Sequence, residues 1–241
     1  NRTISGVYIQ EGGKDGIGLF DSLASTGTIR NLILENSYIE SAGSKTSNTG
    51  WYTGGLVGLL EGGNISGVYV KNDVIVRSNM PYCGGIVGNW QGDSTISCCW
   101  FAGIVDHNDV TNKGLTGGIV GGASKKGTRT IENCLNTGTV IGYTWDIGGL
   151  IGGTPAGEKE EVIVAMKNSV CTGEIVSKTH NYYVGSLIGG LEAESSRFSA
   201  SNVYTTDKIR TDKTYRSDNR VPGFGYIKKN VINGASMKLP D

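Results

Sequence analysis

The sequence predicts an all-β fold: a parallel β-solenoid of about six to seven coils, 30–37 residues each, with three short strands per coil. Three observations carry that expectation. A Gly-Gly-aliphatic-aliphatic-Gly marker recurs at Gly54–Gly58, Gly84–Gly88, Gly117–Gly121 and Gly148–Gly152, with a variant at Gly185–Gly189 and a degenerate first copy at Ile17–Phe20. From Gly18 through Gly55, Gly85, Gly118, Gly149 and Ser186 the steps are 37, 30, 33, 31 and 37 residues, a period that signals a solenoid, propeller or array. A second marker alternates with the first: Thr3-Ile4, Thr28-Ile29, Asn64-Ile65, Thr95-Ile96, Thr130-Ile131, then Ala165-Met166 and Ser199-Ala200. Between markers the apolar runs are short, rich in Val, Ile and Leu, and broken by Gly, Asn and Asp, with no stripe of helical period.

Each element then follows. A propeller blade needs about 40 residues and four antiparallel strands, more than these units hold. Parallel coils would stack about 4.8 Å apart, and the usual crossover sets a right hand. Aligned in this way, Ile4, Ile29, Ile65, Ile96, Ile131, Met166 and Ala200 form one inward column. Ile39, Ile75, Val105, Val140 and Ile175 form a second, and Leu19, Leu56, Ile86, Ile119, Leu150 and Leu187 a third. One coil cannot bury its own face, so neighbours must close the core. The marker glycines suit a corner needing positive φ and close approach. Asn31, Asn133, Asn168 and Asn202 share a column with Gly6, Gly67 and Cys98, where Asn tolerates the left-handed conformation and stacked amides can bond to one another. Residues 1–206 are read as the repeats and 207–241 as a C-terminal cap and linker, since the pattern fades after Thr206 and an open core end needs cover. The chain begins Asn1-Arg2-Thr3 and is expected to be a piece of a longer protein.

Composition excludes several roles. There are 39 glycines but four prolines, which suits tight turns rather than collagen or a disordered linker. The 22 basic and 22 acidic residues balance, so no footprint for nucleic acid or an anionic membrane is expected. No apolar run reaches the roughly 18–20 residues that span a bilayer. Five cysteines without C-x-x-C spacing, and only His107 and His180, leave no zinc pattern, so no metal or cofactor is expected. Cys99 and Cys134, in one column, are read as buried free thiols.

The Gly-Gly-Leu-Val-Gly marker, with the stretch Ile131-x-Asn-Cys-x-Asn-Thr-Gly-x-Val140, resembles the GLUG repeat over about residues 1–206. That repeat is found in large bacterial surface proteins, including the non-catalytic part of IgA1-specific zinc metallopeptidases. The resemblance implies an extracellular, rod-like segment of a secreted or wall-attached protein. The metallopeptidase signature His-Glu-x-x-His is absent, so its activity does not carry over.

Catalysis on this fold would need carboxylates paired roughly 5–10 Å apart on adjacent coils. The alignment sets Asp73 against Gly103, Asp106 between Val76 and Ile141, and Asp146 between Leu115 and Tyr183, so no acidic pair shares a column. His107 beside Asp106 and Asp109 reads as a polar loop tip, and Glu158–Glu161 as a solvated loop. No enzyme is expected. The candidate binding residues are Trp51, Tyr52, Tyr82, Trp145, Tyr182 and Tyr183, which precede the marker and are expected to point outward by strand alternation. Exposed aromatic rows stack on sugars or anchor proteins, so the expected partner is a host glycan or protein ligand of a monomeric segment. The other reading is that these rings pack beneath long loops such as 41–50. Tyr8, Tyr69, Trp100 and Tyr204 form a smaller second row. The function expected is a structural or adhesive segment of a bacterial surface protein. The alternatives are a carbohydrate-binding module of a secreted polysaccharide-degrading system and a substrate-positioning region of a surface metallopeptidase.

Overall fold

The computed structural model describes residues 2–12, 14–43, 51–108, 114–143, 145–155, 158–178, 183–193, 196–206, 208–211, 223–227, 232–234 and 237–238. Among them there is no helix; every strand–strand ladder is parallel, and strands pair only with their equivalents in adjacent coils. The fold is the expected parallel β-solenoid.

Four sheets form its walls. The second complete coil shows the path: Asn64–Val70 lies in sheet A, Val74–Ser78 in sheet B, Tyr82–Gly84 in sheet C and Val87–Gln91 in sheet D. Sheet A bends midway, and in later coils the bend splits it into two strands, as at Ser94–Ser97 and Trp100–Phe101. The bend is the Asn column. Asn31, Gly67, Cys98, Asn133, Asn168 and Asn202 all have φ between 46° and 62°, and the Asn202 amide donates to Asn168 Oδ1 at 3.0 Å. Cys98 is the one member without an amide or a bare backbone. A β-carbon in this conformation costs roughly 1 kcal/mol, less where a short polar side chain bonds locally. Cys98→Asn should therefore raise the denaturant midpoint, by up to about 1 kcal/mol of stability; a lower midpoint would contradict this account of the corner.

The core columns largely follow the sequence. Ile29, Ile65, Ile96, Ile131, Met166 and Ala200 stand in register, and Leu56, Ile86, Ile119, Leu150 and Leu187 are linked by backbone hydrogen bonds from one coil to the next. Two expected members belong elsewhere. Ile4 pairs with Leu34, not Ile29, because Arg2–Ser5 lies beside the second half of the long strand Thr28–Glu35. Gly6 accordingly sits beside Asn36, also left-handed at φ 44°. In sheet B the inward column is Ile39, Val76, Val105, Val140 and Ile175; Ile75 points out and is 36% exposed. The same one-residue shift puts Asp106 opposite Arg77 rather than Val76, and Val74 rather than Asp73 beside Gly103. Arg77 lies between Glu40, at 4.0 Å, and Asp106, at 3.5 Å.

The Gly-Gly marker joins sheet C to sheet D. None of its glycines has positive φ; the expected left-handed corner is absent and close packing alone explains them. A β-carbon on Gly84 would fall far inside contact with the Val87 carbonyl and the Gly121 amide, and one on Gly88 would strike the Thr53 backbone. The middle glycine faces across the core: Gly85 abuts the Phe101 ring, Gly118 the Asn136 amide and Gly149 the Cys171 sulfur.

Between sheets D and A, side-chain acceptors tie three successive connections to a neighbouring coil. Asn64 Oδ1 accepts from Thr95 N, Asp93 Oδ1 from Thr128 N, and Glu158 and Glu160 from Lys125 N and Lys126 N. Glu158–Glu160 thus stitches two coils, beyond the solvated loop the sequence suggested. Burial works to raise the Glu158 carboxyl, but backbone N–H bonds from Lys125, Glu160 and Lys159, with the Arg129 charge, outweigh it and hold it below its ordinary value. Arg129, fully buried, donates to the carbonyls of Trp90, Gly127, Ser124 and Lys125 over 2.5–3.1 Å. After Thr206 the strands Ile209–Thr211, Phe224–Ile227, Ile232–Gly234 and Met237–Lys238 continue the ladders of sheets B, D and A.

Candidate functional site

The aromatic residues preceding the marker are positioned by sheet C, where Tyr52, Tyr82, Leu115, Asp146 and Tyr183 share one column. They point away from the main core, as alternation requires. Their surroundings differ from an open wall, because sheet D folds back alongside and the column fills the wedge between the two sheets. The Tyr82 ring lies over Gly122, Leu115 over Gly153 and the Asp146 carboxylate over Gly190. Leu115 is 2% and Asp146 4% exposed.

Tyr52 and Tyr82 are half-buried and meet edge to face, with ring centroids 5.2 Å apart. Burial is the main reason both phenols are pushed above their ordinary pKa; for Tyr52, hydrogen bonds with Asn89 and Gln91 offset part of it. Asn89 is itself held by Ser124, donating to its Oγ at 3.0 Å. Trp145 and Tyr183 stack 5.8 Å apart, and Trp145 is 36% exposed. Trp51 is half-buried. Leu115 and Asp146 separate the Tyr52–Tyr82 pair from Tyr183, so the structure brings the residues together as two clusters. Tyr182 lies outside the described residues, as do 44–50 of the covering loop.

The second aromatic row is more continuous than its residue types suggested. Ile33, Tyr69, Trp100, Leu135, Val170 and Tyr204 stand in register on the outer face of sheet A. Tyr69 and Trp100 stack at 4.3 Å, and the indole N–H donates to Thr137 Oγ1 at 2.8 Å. Tyr8 belongs elsewhere: it stacks on Tyr38 in sheet B, because the first coil is set by the Ile4–Leu34 register. The aliphatic members of the row carry no signal until the alignment is fixed in three dimensions.

Among the described residues, the titratable groups singled out in the sequence do not converge. His107 points inward and shares a 2.6 Å hydrogen bond with Thr116, while Asp106 points out to Arg77; Asp109 lies outside the described residues. Among the described residues no cluster of three or more His, Cys, Asp or Glu could hold a metal. Cys83, Cys99, Cys134 and Cys171 are buried thiols outside any disulfide, and Cys98 is exposed. Burial pushes the Cys83 thiol up strongly, and the hydrogen bond with Cys99, followed by burial, pushes Cys134 up.

Stacked coils, an aliphatic interior and side-chain ladders on the outer walls define a repeat-built parallel β-solenoid. Residues 49–75 match the GLUG motif, and a Gly-Gly marker of the same form as the one inside that match recurs along the chain. Halomucin from Haloquadratum walsbyi is 33% identical over 96 residues, covering 40% of this chain and 1% of halomucin. A crystal structure from Bacteroides ovatus, described as a candidate immunoglobulin A1 protease, matches with a TM-score of 0.70 at 21% identity, over 96% of this chain and 66% of that one. The GLUG motif is a non-catalytic repeat, and the likeness to the Bacteroides protein is one of fold.

Proposed function

We propose that this chain is a non-catalytic, extracellular segment of a bacterial surface protein, both a stiff spacer and an adhesive surface. Support for the spacer comes from uninterrupted parallel ladders in all four walls. The GLUG match and the relatives, a halomucin and a candidate immunoglobulin A1 protease, support a surface or secreted setting. The same proposal takes residues 207–241 as the segment's C-terminal cap and linker.

The observation that carries the adhesive half is an aromatic set on the outward side of sheet C, in which Trp145 is 36% exposed and stacked on Tyr183 while Tyr52 and Tyr82 are half-buried. Trp51, Tyr52, Tyr82, Trp145, Tyr182 and Tyr183 are the contacts proposed on the sheet C side, with a glycan or protein ligand. An array of glycans and matrix proteins probed with the intact domain tests this. Specific binding that falls at least about tenfold on Trp145→Ala or Tyr52→Ala is expected; tenfold is about 1.4 kcal/mol, within reach of one lost aromatic contact. Silence across the array would remove the adhesive half and leave the spacer.

A further inference from the structure

The outer face of sheet A's second half carries three parallel rows. The middle row, from Ile33 through Trp100 to Tyr204, is apolar at each of six coils, and every member is half-buried or exposed. One flank is the left-handed Asn column, whose Asn133, Asn168 and Asn202 are exposed amides. The other flank carries hydroxyls, Thr137 and Thr172, one coil apart. Its charges, Glu35 and Lys71, pair with each other.

Size decides what could lie here. Six coils at about 4.8 Å span about 24 Å, and three outward rows about 6.6 Å apart span about 13 Å. The face is thus on the order of 300 Å², against about 800 Å² that each partner gives to a standard protein interface. A second copy or a folded protein would have most of its contact elsewhere. Charge decides further, because the mutually neutralised Glu35–Lys71 pair offers nothing to a polyanion or polycation. A pyranose chain fits both limits: it is slender and uncharged, with C–H surfaces for the apolar row and rim hydroxyls for the amides and threonines. The Tyr69 stack and the Thr137 bond already hold the Trp100 indole, so little side-chain freedom is lost on contact.

We infer that this face binds a single chain of uncharged polysaccharide lying along the solenoid axis. The inference rests on the adhesive reading but places the contact on sheet A, away from Trp145 and Tyr52. Native affinity electrophoresis in gels containing hydroxyethylcellulose, mixed-linkage β-glucan or xylan, with alginate as the charged comparison, tests it. The expected result is retardation by at least one neutral polymer and not by alginate. That retardation should fall at least tenfold in apparent affinity on Trp100→Ala and on Val170→Lys, and persist in Trp145→Ala. Circular dichroism confirms that each variant keeps its β signal. Val170→Lys changes an outward position, so the test does not depend on Trp100 alone. Retardation lost only in Trp145→Ala would overturn the assignment to sheet A while leaving adhesion standing. No retardation by any neutral polymer, with protein binding on the array, would likewise overturn the polysaccharide and spare the adhesive reading.

Discussion

Gly84→Ala is expected to destabilise the domain by about 3 kcal/mol, the upper end of the range for overpacking a tight interior. The added β-carbon has nowhere to go, because its neighbours are backbone rather than movable side chains: the Val87 carbonyl, at the other end of the same turn, and the Gly121 amide of the next coil. Relieving the clash would move strands in two coils, and each ladder transmits the shift. Gly6→Ala provides the comparison. It has positive φ, 73°, but nothing within 4 Å of the new methyl, so only the conformational cost of about 1 kcal/mol applies. Denaturant titration should rank Gly84→Ala well below Gly6→Ala. The reverse order would mean that backbone conformation, rather than coil-to-coil contact, explains the marker.

Arg129→Met should cost a comparable amount, about 3 kcal/mol. Its guanidinium satisfies four carbonyls at the sheet D to sheet A connection, and removing the donors leaves buried acceptors unpaired at about 1–3 kcal/mol each where water cannot replace them. Burial pulls the guanidinium down to about 10, while the Asp93 and Glu158 carboxylates act to hold it up, so it is charged at neutral pH. Arg129→Lys should rescue only part of the loss, since a single ammonium cannot reproduce the planar fork. Full rescue by lysine would show that charge, not geometry, matters here. Thermal or denaturant unfolding reads both variants.

The repeat, the parallel stacking and most core columns were legible because inward residues recur at one place per coil. The errors share a cause: alternation sets a strand's phase only when polar residues interrupt it. Val74-Ile75-Val76 is a continuous apolar run, so nothing in it tells Ile75 from Val76. Thr3-Ile4-Ser5-Gly6 has the outline of the Thr28–Asn31 corner, yet it pairs five residues further on, where a second left-handed residue, Asn36, provides an equivalent bend. The setting of Tyr52 and Tyr82 was hidden for a different reason. Facing out of the core is local, whereas being covered depends on sheet D returning alongside. Arg129 gave no signal at all, because a charged residue among Thr and Gly looks like surface until the carbonyls that surround it are brought together.

The most direct test of the account is a methyl NOE experiment on protein labelled at isoleucine δ1 and valine methyls. In-register parallel stacking is expected to give a chain of cross-peaks Ile29–Ile65–Ile96–Ile131 and a second chain Val76–Val105–Val140, with Ile75 absent from the second. Missing cross-peaks within the first chain, or a set linking Ile75 rather than Val76 to Val105, would contradict the stacking on which both binding faces depend.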